Sequence, residues 1–110
     1  MAEQNSGSLF GKAAFVSGGS RGIGAAIVRR FAADGASVAF TYRHSVNAAE
    51  SLAKEVQDEF DVQVIALQAD ASDRKQATQA VSQAAEQLGR LDIVVNNAGV
   101  FLTSALLQST

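Results

Sequence analysis

The 110-residue sequence contains no cysteine and no proline. The absence of cysteine excludes disulfide bonds and thiolate metal sites, and it is consistent with a cytoplasmic protein. The absence of proline fits a chain made mostly of regular helices and strands. No apolar run approaches the ~20 residues that a membrane-spanning helix needs. Residues 1–7 have neither the basic region nor the apolar core of a signal peptide, so we expect no membrane partner.

Charge is sparse as well. Charged residues make up 18% of the chain, and the net charge is −2. Lysine and arginine form no run, which gives no reason to expect a nucleic-acid partner. Hydrophobic residues make up 47% of the chain, a share typical of a globular domain. We therefore predict one domain over residues 1–110, with a loose arm at 1–10 and an apolar tail at 100–110 whose pattern also fits a helix.

Two periodicities alternate along the chain. Short apolar runs predict strands at 13–17, 37–42, 62–69 and 91–96, and helical spacing predicts a first helix at 22–34. In that helix Ile23, Ile27 and Phe31 are four residues apart, and we expect them to lie on one face. Asn47, with Glu50 three residues on, has the spacing of a capping box for a second helix. Ser72 is the predicted cap of a third helix that Gly89 ends.

The order β-α-β-α-β-α-β implies a parallel sheet with right-handed crossovers. We predict the α/β class, with strands in the order 3-2-1-4, as in the first half of a doubly wound, Rossmann-like fold. Ligands of such sheets bind at the carboxyl ends of the strands, where the strand order reverses. That point lies between the first and fourth strands.

A glycine-rich turn, Gly18-x-x-x-Gly22-x-Gly24, stands between the first strand and the first helix. The first turn of a helix offers unpaired N–H groups and partial positive charge, which favour a phosphate if the backbone can approach it closely. The spacing differs from the common G-x-G-x-x-G fingerprint, and Ala25 stands where a P-loop would carry lysine. A βα turn that holds no ligand is the alternative.

Besides the glycine-rich turn, a second motif, Asn96-Asn97-Ala98-Gly99, follows the fourth predicted strand. With these two motifs the sequence resembles the short-chain dehydrogenase/reductase family over about residues 9–99. Ser17 to Gly24 looks like the family's Thr-Gly-x-x-x-Gly-x-Gly turn, and Asn96-Asn97-Ala98-Gly99 like its strand-4 motif. Asp70 matches the aspartate that contacts adenine in the family. The likeness, which is that of the N-terminal cofactor-binding half of a 3-oxoacyl-ACP reductase, implies a dinucleotide partner. The implied cofactor-binding residues are Gly18, Ser20, Arg21, Gly22, Ile23, Gly24, Tyr42, Arg43, Ser45, Asp70, Ala71, Asn97, Ala98 and Gly99.

The charges after the second strand favour NADP over NAD. An acidic residue at the end of that strand would bind the ribose hydroxyls of NAD and repel the phosphate of NADP. Tyr42 stands at that position, and no acid occurs between Asp34 and Glu50. Arg43 and Arg21 would be strong partners for the phosphate. The alternative is that both arginines are ordinary surface charges.

The resemblance also implies a catalytic tyrosine with a lysine four residues later, and the sequence has no such pair. Tyr42 is the only tyrosine, and Val46 follows it at that spacing. We predict no catalytic and no metal-binding residue in this chain. Two hypotheses stay open. The chain is the NADP-binding portion of a reductase, or it is an inactive nucleotide-binding half-fold that self-associates through the edge of the fourth strand or the apolar tail.

Overall fold

The computed structural model describes residues 7–18, 22–70 and 72–97. Strands and helices alternate through these residues, and each strand pairs in parallel with its neighbours in the order β3-β2-β1-β4. This arrangement confirms the predicted fold class and strand order. The elements are β1 Ala13–Val16, α1 Gly22–Ala33, β2 Ser37–Tyr42, α2 Val46–Phe60, β3 Val64–Gln68, α3 Arg74–Leu88 and β4 Ile93–Val95.

The sheet separates two apolar clusters, because side chains of successive strand residues point to opposite faces. On one face Val16, Val38 and Phe40 pack with buried residues of α1 and α2. On the other face Phe15 and Ala39 pack with the alanine-rich side of α3. All four residues of β1 are buried, which is why this strand reads as a continuous apolar run.

The residues that α1 buries are not those of the predicted apolar face. Gly24, Val28 and Ala32 are its buried residues, while Ile23 is 74% exposed. At 100° per residue, Ile23 lies about 140° around the helix from Val28, whereas Phe31 lies about 60° away. Phe31 therefore reaches the core from the side, whereas Ile23, at the other end of the predicted apolar face, is exposed.

Both predicted N-caps are also displaced. The cap of α2 is Ser45, whose carbonyl accepts from Ala49 N at 2.9 Å, so Asn47 lies within the first turn and makes no capping box. The cap of α3 is Asp73, whose carboxylate accepts from the N–H groups of Lys75 and Gln76. Ser72 does not cap α3, because its hydroxyl donates to Asp70 instead, at 2.6 Å.

The chain before β1 is attached to the end of α1. Leu9 N donates to Asp34 O at 2.9 Å. A Cβ on Gly7 would lie 2.3 Å from the same oxygen, so the two backbones pack too closely for a side chain at this position. Gly7 and Leu9 of the predicted arm thus contact the end of α1, while residues 1–6 and the predicted tail at 100–110 lie outside the described residues. In the described ranges no helix is both long and apolar enough to cross a membrane.

Candidate functional site

The glycine-rich turn starts at the carboxyl end of β1 and leads into α1. Gly18 and Gly22 have φ values of 69° and 62°, a left-handed conformation that costs residues with a Cβ about 1–2 kcal/mol. No described atom lies within 4 Å of the place that a Cβ of Gly22 would occupy. Among the described residues, nothing fills the space beside Gly22, as a phosphate approaching the backbone requires.

Two polar side chains hold Gly18 from opposite sides. Gly18 N donates to Thr41 Oγ1 at 2.9 Å, and Gly18 O accepts from Asn97 Nδ2 at 2.9 Å. Thr41 belongs to β2, where it is only 2% exposed, and Asn97 follows β4. The turn after β1 is thus fixed by both strands that flank β1. Asn97 is among the residues predicted for this site, whereas Thr41 is not, because its only sequence signal is a polar residue inside an apolar strand.

Ser17 continues the pairing of β1 and β4 past the last strand residue. Its N–H donates to Val95 O at 3.0 Å, and its hydroxyl oxygen lies 3.2 Å from Asn96 Oδ1. Ser17 is buried. Consequently the glycine-rich turn and the Asn96-Asn97 segment meet at the reversal of the strand order, as the sequence predicts.

A charged cluster lies at the carboxyl ends of β2 and β3. A guanidinium nitrogen of Arg43 lies 3.3 Å from Asp70 Oδ2. Asp70 Oδ1 accepts from the N–H of Ser72 at 2.9 Å and from its hydroxyl. The hydrogen bonds from Ser72 are the main cause of the lowered pKa of Asp70, to which the Arg43 charge adds. Asp70 is therefore anionic at neutral pH.

The other residues predicted after β2 differ in exposure. Tyr42 is buried in the α1–α2 side of the core, and its carbonyl accepts from Ala69 N at 3.0 Å. The side chain therefore belongs to the core, and the backbone pairs with the residue that follows β3. Ser45 begins α2, but its side chain makes no capping hydrogen bond. The first N–H groups of α2 therefore donate no hydrogen bond to the Ser45 side chain.

The remaining predicted residues divide into two groups. At the start of α1, Gly22 and Ile23 are exposed and Gly24 is buried. Ser20, Arg21, Ala71, Ala98 and Gly99 lie outside the described residues. Across the part of the chain that the structure describes, no group of three or more His, Cys, Asp or Glu side chains could hold a metal ion.

Comparisons with known proteins agree with this geometry. The family model described as short chain dehydrogenase matches residues 12–109. An uncharacterized oxidoreductase of Methylorubrum extorquens is 42% identical over 102 residues, which make up 93% of this chain and 41% of that protein.

Solved structures extend the likeness to the fold. A blue fluorescent protein from a metagenomic library, solved with NADPH, has a TM-score of 0.77 and 56% identity over 84% of this chain and 38% of its own. A short chain dehydrogenase of Burkholderia cenocepacia, solved with NADP, has a TM-score of 0.79 and 50% identity over 86% of this chain and 38% of its own. The chain thus spans about two fifths of the length of these relatives.

Proposed function

The chain belongs to the short-chain dehydrogenase family, and on this premise we propose that it forms the NADP-binding portion of an oxidoreductase. The reaction would interconvert a carbonyl and an alcohol, and the nicotinamide, when bound, would accept or donate the hydride. The observation that carries the choice of cofactor is Arg43, an exposed cation directly after β2, in a stretch without acidic residues from 35 to 49.

Each end of the proposed site would bind a different part of the cofactor. The N–H groups at the start of α1 would hold the pyrophosphate, beside the open space at Gly22. Arg43 and Ser45 would bind the 2′-phosphate, and Asp70 would contact the adenine. Asn97 would keep the glycine-rich turn in shape by its bond to Gly18 O. The support for this division is that these groups share the carboxyl edge of one parallel sheet.

Titration with NADPH and NADH, followed by calorimetry, tests the proposal. We expect saturable binding that prefers NADPH. Arg43→Asp should lower the affinity for NADPH relative to NADH by about tenfold or more, since it removes a charge-assisted partner and adds repulsion. Arg30→Asp makes the same charge change in the last turn of α1, away from the site, and should leave the ratio unchanged. Equal binding of both cofactors by the wild-type chain would contradict the choice of NADP.

The reaction itself is proposed for a protein that joins this cofactor site to a Tyr-x-x-x-Lys segment, because these 110 residues contain none. The 3-oxoacyl-thioester subtype and the cytoplasmic location stay predictions. A non-catalytic nucleotide-binding module that self-associates is the second candidate, and the same missing pair favours it. The mass of the native protein distinguishes the two, since a longer chain with the Tyr/Lys pair supports the enzyme.

A further inference from the structure

The charged cluster at the ends of β2 and β3 points to a second determinant of cofactor choice. We propose that Asp70 is an internal counter-ion of Arg43 that competes with the 2′-phosphate of NADP and so reduces the preference for NADPH over NADH. The inference rests on the proposed function, because it assumes that the phosphate binds at Arg43. It adds a role for Asp70 that is separate from any contact with adenine.

Asp70 is the fixed member of the pair. Its Oδ1 receives two hydrogen bonds from Ser72, and its backbone N–H donates to Gln76 Oε1 at 2.8 Å. Gln76 is held in turn by Asp73, the N-cap of α3, through a bond of 3.3 Å. The other carboxylate oxygen, Oδ2, is the one within ion-pair distance of Arg43. The negative charge is thus anchored to the start of α3.

Arg43 is the movable member. Its side chain is 63% exposed, and its ion pair with Asp70 is a single contact of 3.3 Å. A guanidinium has five N–H donors in a planar fork that matches a phosphate. One contact with Asp70 therefore draws the fork toward the carboxylate without fixing it, and a phosphate can take the place of the carboxylate.

The backbone of Arg43 does not depend on Asp70. Gln68 Nε2 donates to Arg43 O at 3.3 Å, next to the last backbone pair of β2 and β3, Tyr42 and Gln68. The Gln68 side chain thus adds one hydrogen bond between β2 and β3 beyond their last backbone pair. Removal of the Asp70 charge should therefore release the guanidinium and leave the position from which Arg43 reaches unchanged.

Removal of the Asp70 charge has opposing effects on the preference for NADPH, and their sizes decide the direction of the change. An exposed ion pair such as Arg43–Asp70 is ordinarily worth a change of about five-fold or less in an equilibrium constant. Repulsion between the Asp70 carboxylate and a phosphate dianion also lowers the affinity for NADPH. Loss of the orientation that Asp70 gives to the Arg43 guanidinium would instead lower the affinity for NADPH. One exposed contact orients the guanidinium only weakly, so this effect is small. We therefore expect loss of the charge to favour NADPH.

Asp70→Asn tests this, because Asn keeps an acceptor for Ser72 and removes only the charge. The ratio of the NADH to the NADPH dissociation constant, measured by calorimetry, should rise about two- to fivefold. Any contact between residue 70 and adenine is common to both cofactors and cancels in this ratio. An unchanged or lowered ratio would overturn the proposal. If circular dichroism shows that Asp70→Asn does not fold, Asp70→Ser takes its place.

Two controls test whether competition for Arg43 is the cause of a change in this ratio. In an Arg43→Gln background the same substitution should lose most of its effect, and a rise of full size there would show that competition for Arg43 is not the cause. Asp58→Asn removes an exposed acid on α2 that pairs with Lys54, and it should leave the ratio unchanged. A folded wild-type chain that binds neither cofactor would overturn the proposed function and this inference together. A wild-type preference for NADPH without a rise in Asp70→Asn would overturn this inference alone.

Discussion

Thr41 shows how one residue links the core to the candidate site. Its side chain is buried in β2 and, like that of Ala39 two residues earlier, it lies on the face that packs against α3. The hydroxyl accepts the N–H of Gly18 at 2.9 Å. A partly buried N–H without a partner costs about 1–3 kcal/mol, so this single bond helps to determine the conformation of the glycine-rich turn.

Thr41→Val keeps the shape of the side chain and removes the acceptor. We expect the free energy of unfolding to fall by about 1–3 kcal/mol and dinucleotide binding to weaken, since Gly18 is no longer held. Urea denaturation and NADPH titration measure the two effects. Thr41→Ser should restore most of both, because it returns the hydroxyl.

Thr78→Val is the matched control for Thr41→Val. The hydroxyl of Thr78 donates to Arg74 O on the exposed side of α3, and its loss should change stability by no more than about 0.5 kcal/mol. Equal losses of stability in Thr41→Val and Thr78→Val would show that the hydrogen bond to Gly18 contributes no more than an exposed one.

At the scale of the elements, and among the described residues, the sequence predicted each strand and helix and the order of the sheet. This worked because the apolar periods of strand and helix differ and the crossovers of parallel strands have one hand. The ends were less accurate: β4 is Ile93–Val95, within the predicted 91–96. Ser72 and Asp73 are both suitable N-cap residues. Ser72 is not available because its hydroxyl donates to Asp70, a contact that depends on the three-dimensional position of Asp70.

The site was predictable to the extent that it follows from strand order. Carboxyl ends of neighbouring parallel strands must meet, so Gly18 and Asn97 could be brought together from the sequence. Gln68 could not be assigned to the site, because its bond to Arg43 O depends on the register of β2 and β3. The Arg43–Asp70 pair was missed for the same reason, although both residues had been named.

The turns that end the helices offer a comparison between two glycines. Gly35 and Gly89 follow α1 and α3 with φ values of 97° and 81°. A Cβ on Gly89 would meet nothing within 4 Å, whereas one on Gly35 would lie 3.0 Å from Phe10 Cα. Both positions need a left-handed backbone, but only Gly35 also makes room for the segment before β1.

Gly89→Ala should therefore cost about 1–2 kcal/mol of stability, the strain of a left-handed residue with a Cβ. Gly35→Ala should cost more, because the Phe10 backbone must also move. Urea denaturation measures both costs. Faster hydrogen exchange at Leu9 N, which donates to Asp34 O, should appear in Gly35→Ala only. Equal costs and equal exchange would contradict a packing role for Gly35.

At the scale of the whole molecule, the sheet is joined at both ends of the β1–β4 pair. The carboxyl ends meet through Ser17 and Asn96, and the amino ends meet through Asp92. The backbone N–H of Asp92 donates to Ala13 O, and its carboxylate accepts from Ala13 N, each at 2.9 Å. Arg90 donates two further bonds of 2.8 Å to this carboxylate. The short β4 strand is thus held to β1 by more than its own ladder.

These contacts make stability depend on pH. The hydrogen bond from Arg90, followed by that from Ala13 N, lowers the pKa of Asp92 from 3.8 to about 2. A carboxyl whose pKa is lower in the folded than in the unfolded state binds protons more weakly when folded. Its contribution is therefore fully present above the unfolded pKa of about 4 and is lost as the pH falls through about 2.

Asp92→Asn tests this contribution, because Asn keeps an acceptor for Ala13 N and removes the charge that Arg90 binds. In urea denaturation the wild type should be more stable than Asp92→Asn at neutral pH. The difference should begin to shrink below pH 4 or so and vanish only below about pH 2, where the protonated Asp92 resembles Asn. Asp58→Asn, on the exposed side of α2, corrects for the general effect of removing an acid. A difference that stays constant from neutral pH to pH 2 would mean that the charge of Asp92 does not hold β4 to β1, and that the backbone bonds with Ala13 alone do so.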